Sequence, residues 1–211
     1  MIASVLQDPL PGYEGALLGS ITPFTALAQI TVALLLGLLI ASQGKFSRWE
    51  VPVAFVVGVT GGVILYFVRN RWLIQYARDA VAVGMLVAGL AAILLRSWPR
   101  AVIIAVIPIV VACGVGSGYL VAIDIPSEGR HFTYASLYTI GYLTTALILM
   151  GITAVVAEAL KTRPRMRLYL RLATIVLLVV GVYFLLDAIS CRSNVFCPPF
   201  LEREMFTVFG S

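Results

Sequence analysis

Six apolar runs follow one another along this chain with only short polar connections between them. Each is close to the ~20 residues that a helix needs to cross a hydrocarbon core. No other feature narrows the fold as much. In lipid, every backbone amide and carbonyl must be satisfied within its own segment or in a closed barrel, so only helices and barrels span. The runs are continuous and lack the period-2 alternation of a barrel strand. The expected fold is therefore all-α, a polytopic transmembrane bundle of about six helices. Composition agrees with this: 61% of the 211 residues are apolar and 12% charged, against roughly 45–50% and about 25% in a soluble domain.

The spans are expected at about 16–41, 51–68, 80–95, 101–123, 135–160 and 168–189. They form one transmembrane domain over 1–190, followed by an extramembrane tail, 191–211. The piece RWLIQYA between the second and third spans is amphipathic and reads as an interfacial helix, with Trp72 and Tyr76 at headgroup level. The first residues, MIASVLQDPLPGYEG, contain neither a basic region nor an apolar one of signal-peptide type. Either earlier processing or insertion by the first span accounts for that.

The net charge of +5 does not point to nucleic acid, because the basic residues sit between apolar runs, where they set topology and meet headgroups. With the N-terminus outside, the inner connections hold Lys45, Arg48, Arg96, Arg100, Lys161, Arg163, Arg165, Arg167 and Arg171. The outer segments hold Arg69, Arg71, Arg78, Arg130, Arg192 and Arg203. That bias places both termini on the outer, periplasmic side. Cys191 and Cys197 would then lie in an oxidising compartment, close enough in sequence for a disulfide, with two free thiols or a metal pair as the alternatives. Cys113, among glycines in the fourth span, reads as a small packing residue.

Catalytic and metal-binding patterns are missing. The one histidine, His131, lies in a loop beside Arg130, and there is no phosphate-binding glycine loop, serine elbow or CxxC. No histidine lies inside a span to hold haem. Glu158 and Asp187 fall near the ends of their spans, where pairing with Lys161 or Arg163 and with Arg192 accounts for them. What remains inside is neutral and polar: Thr22, Thr25, Gln29, Thr60, Ser117, Tyr119, Tyr138, Tyr142, Thr144 and Thr145. Thr22, Thr25 and Gln29 share one face of a continuous helix. Together with Thr144 and Thr145 they are candidates for interhelical contacts or for the lining of a polar passage.

Three segments carry a family resemblance. GALLGSITPFTALAQITVALLLGLL, VPVAFVVGVTGGVI and YTIGYLTTALILMGI, in this order and spacing, resemble the first, second and fifth helices of the HupE/UreJ family. These are small bacterial membrane proteins associated with nickel supply to hydrogenase and urease. The resemblance implies a multi-pass protein of the bacterial inner membrane. The family's first helix carries His-Pro-x-x-Gly-x-Asp-His, and the same frame here reads Thr22, Pro23, Ala26, Ala28 and Gln29. Its fourth helix shows Phe-His-Gly-x-Ala-x-Glu, matched here by Ala112, Cys113, Gly114, Gly116 and Gly118. The fifth-helix histidine aligns with Leu149. Nickel favours imidazole nitrogen, and a desolvated divalent cation needs compensating charge. These positions offer neither.

The expected function is accordingly non-catalytic: an accessory or structural subunit of a larger membrane complex, with a permease for a small solute as the alternative and a metal ion the less favoured cargo. No cofactor is expected. The expected partners are the lipid bilayer and other membrane subunits, and not nucleic acid.

Overall fold

The structure, a computed structural model, describes residues 13–42, 49–69, 74–94, 100–123, 125, 132–161 and 164–192. The described residues form seven helices and no strand: α1 (Tyr13–Thr25), α2 (Leu27–Ser42), α3 (Glu50–Arg69), α4 (Ile74–Leu94), α5 (Arg100–Ile123), α6 (Phe132–Lys161) and α7 (Pro164–Arg192). Helices α3 to α7 are each long and apolar enough to cross a membrane, and α1 with α2 reach that length and hydropathy together, as a bent pair. The all-helical, membrane-spanning reading of the sequence is thus what the chain adopts.

The first span departs from the expected single helix over 16–41. It breaks at Ala26, and α1 and α2 meet at 76°. Across the break Ala26 N donates to Thr22 O, and Gln29 N and Ile30 N both donate to Ala26 O. Two residues weaken the helix one turn earlier. Pro23 removes an amide donor and crowds the preceding turn, and the Thr22 hydroxyl bonds back to Leu18 O at 3.0 Å, a contact that bends helices.

The described part of the expected interfacial helix is not separate from the third span. Ile74–Ala77 belongs to the first turn of α4, which starts about six residues before the predicted third span. Ala77 is buried against Gly116 of α5, while Tyr76 beside it is exposed at the start of the apolar window. Trp72 lies outside the described residues. At the other end of the chain, α7 continues to Arg192, into the first residues of the predicted tail.

Neighbouring spans alternate in direction, and the closest packing often joins spans that are not neighbours in sequence. Helix α3 runs parallel to α5: Phe55 abuts Gly114 and Val59 abuts Gly118. A Cβ on Gly62 would lie 2.8 Å from Tyr119 N, and one on Gly118 2.7 Å from the carbonyl carbon of Val59. Gly58-x-x-x-Gly62 therefore faces Gly114-x-x-x-Gly118, letting the two backbones touch, as small residues do in membrane bundles. Gly61, which draws the eye in sequence, has only Val115 Cγ2 at 3.9 Å.

Helix α4 is antiparallel to α5, with Gly84 on Cys113, and antiparallel to α7, with Gly89 on Leu178. The bent first span runs parallel to α6, with Gly15 on Tyr134, Gly19 on Tyr138 and Gly37 on Met150 and Thr153. The Lys161 ammonium at the end of α6 donates to Ala41 O, satisfying one of the carbonyls that the end of α2 leaves open.

The core lies between α2, α3, α5 and α6 around Leu35, Leu36, Leu39, Phe55, Val59, Tyr119, Tyr142 and Met150. Helix α7 is the least enclosed, with 17% of its spanning window buried, against 56% for α5.

Candidate functional site: a neutral polar seam beside the helix break

Helix α6 presents Tyr134, Tyr138 and Tyr142 at four-residue spacing, one face of a helix, toward the bent first span. The Tyr134 and Tyr138 rings stack with centroids 6.5 Å apart. The Thr22 and Tyr138 hydroxyls are 2.5 Å apart and buried. The Tyr142 hydroxyl donates to Gln29 Oε1 at 2.6 Å. These two bonds sit on either side of the break at Ala26.

The spacing explains why the break matters. Along a straight helix Thr22 and Gln29 would be about 10 Å apart, while Tyr138 and Tyr142 are about 6 Å apart on α6. The bend brings both pairs into register.

The seam continues into α5. Ser117 is fully buried, one turn after Cys113, and its hydroxyl lies near the Cys113 thiol and the Tyr142 hydroxyl without a well-formed hydrogen bond. Cys113 Sγ is 4.0 Å from Val81 O. The Tyr119 hydroxyl is buried with no hydrogen-bond partner among the described residues, and its ring meets Tyr66 edge-on at 5.4 Å. Gln29 of α2, Tyr142 of α6 and Ser117 with Cys113 of α5 thus converge from three helices.

The other candidates separate from this seam. Thr144 is two residues from Tyr142, about 200° round the helix. It is exposed and its hydroxyl bonds to Ile140 O of its own helix at 2.8 Å. Thr145 is half-buried. Thr31, Thr60, Thr139, Thr153 and Thr174 likewise satisfy themselves on the carbonyl four residues back. Thr25 ends α1, and its side chain lies outside what is described. Cys191 falls in the last turn of α7, whereas Cys197 is outside the described residues, as is His131.

Tyr138, Tyr142 and Ser117 are the residues that sequence reading left among generic polar positions. The signal that could have found the two tyrosines is the four-residue tyrosine repeat on the fifth span; nothing in the sequence singles out Ser117.

Chemically, the seam offers hydroxyls, one carboxamide and one thiol, all neutral. It can exchange hydrogen bonds but presents no formal charge. Among the described residues no three histidine, cysteine, aspartate or glutamate side chains lie close enough to hold a metal ion. Of the positions that the resemblance sets against family ligands, Thr22 and Gln29 are bonded to adjacent tyrosines of α6, and Cys113 lies near the second of these.

Comparison with known proteins returns no similar curated protein and no similar solved structure. The family model described as HupE / UreJ protein matches residues 7–184, which takes in every helix described above except the last turns of α7. With that match over most of its length, laid on a bundle of membrane-spanning helices, the chain belongs to the HupE/UreJ family.

Proposed function

We propose that this HupE/UreJ-type membrane protein is non-catalytic and serves as an accessory subunit of a larger assembly in the bacterial inner membrane. The observation that carries this reading is the pairing inside the bundle. The Thr22 and Tyr138 hydroxyls bond to each other and the Tyr142 hydroxyl donates to Gln29 Oε1, as interhelical locks do. Nickel as cargo fits poorly, because the seam supplies neutral oxygen donors and no imidazole. Surface open to such contact includes the outer side of α6 and α7, where Ile148, Ile152, Val155, Val176 and Val179 are exposed. Extraction in mild detergent followed by native mass measurement is expected to show the chain travelling with another membrane protein. A chain that always runs alone overturns the proposal.

One observation favours a second reading, a permease for a small neutral solute. The break at Ala26 lies between Thr22 and Gln29, and transporters place interrupted helices where backbone groups meet the solute. Uptake into proteoliposomes should then fall at least severalfold on Gln29→Leu. Uptake indifferent to that change sinks this second reading.

A further inference from the structure

We infer that a single water molecule is bound inside the bundle, where Ser117 and Cys113 of α5 meet Tyr142 of α6. Ser117 is fully buried, and its Oγ has no hydrogen-bond partner among the described residues. A serine or threonine on a helix has a ready partner in the carbonyl three or four residues back, and this chain uses it repeatedly. Ser20, Thr31, Ser42 and Thr60 all donate in that way, at 2.7 to 2.9 Å. The Ser117 hydroxyl does not. It lies instead near the Cys113 thiol and the Tyr142 hydroxyl.

The neighbours decide what can satisfy it. Tyr142 has given its hydrogen to Gln29 Oε1 at 2.6 Å, so towards any other group its oxygen can only accept. Ser117 brings one hydrogen and two lone pairs, and the Cys113 sulfur is a weak acceptor. A water among them accepts from Ser117, donates one hydrogen to Tyr142 and turns the other to the Cys113 sulfur. That makes three bonds, the usual number for a buried water. Water is the smallest molecule with donors and acceptors in these numbers. An ion does not suit the place, because the cluster is neutral and a buried charge without compensation is strongly disfavoured.

The position is also bounded. Ser117 is six residues from the Ile123 end of α5, about 9 Å along the helix. Further inward the core continues as Leu36, Leu39 and Met150, apolar side chains that give a water nothing to bond. Tyr119, the other buried hydroxyl without a partner among the described residues, is two residues on and about 200° round α5. It meets the Tyr66 ring, on a different side of the helix. The inference holds whether the seam is a lock between helices or part of a solute path.

Hydroxyl-radical footprinting of the full-length protein in nanodiscs tests it. X-ray radiolysis splits water where it is bound, and so marks side chains beside a buried water that bulk solvent does not reach. Cys113 and Met150 are both 1% exposed, and both sulfurs oxidise readily. Each rate, read by peptide mass spectrometry, is divided by that of the same residue in the unfolded chain, which removes their intrinsic difference. The normalised rate is expected to be severalfold higher at Cys113 than at Met150. In Ser117→Ala it should fall to that of Met150. Thr60→Ala, which removes a hydroxyl bonded to its own helix, should leave it unchanged. Equal normalised rates at Cys113 and Met150 in the unaltered chain overturn the inference, the result expected if Ser117 bonds Tyr142 directly. So does a Cys113 rate that Ser117→Ala leaves in place, or that Thr60→Ala lowers as much. The first comparison needs no replacement, so a failure of Ser117→Ala to fold does not remove the test.

Discussion

Gly62→Ala is expected to destabilise the detergent-solubilised protein by about 1–3 kcal/mol, the usual cost of forcing atoms into a filled interior, while Gly61→Ala next to it leaves stability nearly unchanged. The new methyl at Gly62 meets backbone, with Tyr119 N at 2.8 Å and Val115 C at 2.9 Å. Backbone cannot rotate out of the way as the end of a side chain can, so α3 and α5 must move apart. Their separation also loosens Phe55 and Val59, both fully buried at this contact. At Gly61 the nearest atom, Val115 Cγ2, is 3.9 Å away, an ordinary van der Waals distance. Gly118→Ala, with Val59 backbone 2.7 Å from the added carbon, should match Gly62→Ala. Thermal unfolding followed by intrinsic fluorescence measures the set. Equal midpoints for Gly61→Ala and Gly62→Ala would refute the packing described here.

The second large effect concerns Gln29. Tyr142→Phe removes the donor at 2.6 Å and leaves the amide oxygen of a buried residue unpartnered. Such a loss costs about 1–3 kcal/mol. Replacing both partners, Gln29→Leu with Tyr142→Phe, takes away the orphan and should recover most of that stability. Transport by the double variant separates the two readings of the seam. If the pair is only a lock, the double variant is stable and loses nothing else. If the pair touches a solute, the double variant is stable and transport falls. A double variant as unstable as Tyr142→Phe alone would mean that the hydrogen bond is not what the side chains contribute.

Much of the architecture was legible because lipid imposes it. The apolar runs that end near Arg69, Ile123 and Lys161 end there as helices, since a bilayer admits few alternatives for an apolar run of that length. What lay beyond sequence was set by contacts between distant segments. Pro23 and the polar residues around it mark a weak point in the first span, but the place of the break at Ala26 and its 76° angle appear only with the tyrosines of the fifth span that bond on either side of it. The early start of α4 is fixed by Ala77 lying against Gly116, and an amphipathic stretch gives no warning of that. Gly58 and Gly62 cannot be told from Gly61 in the sequence, because facing glycines declare themselves only when the partner helix and its register are known. In the seam, Thr22 and Gln29 stood out as polar residues in an apolar run. Their assignment to Tyr138 and Tyr142 required the parallel pairing of first and fifth spans.

That parallel pairing bears on how the protein is made. Gln29 and Tyr142 are 113 residues apart, and Thr22 and Tyr138 are 116 apart. At a synthesis rate of about 5–20 residues per second, the first span is made roughly 6–23 seconds before its tyrosine partners exist. During that interval its carboxamide and hydroxyl have no mate in the nascent chain. The first half of the molecule must wait near the insertion machinery, or beside water at the membrane surface, until α6 arrives. Truncated chains ending before Phe132 should therefore stay crosslinkable to that machinery through the first span, and chains extended past Lys161 should release it.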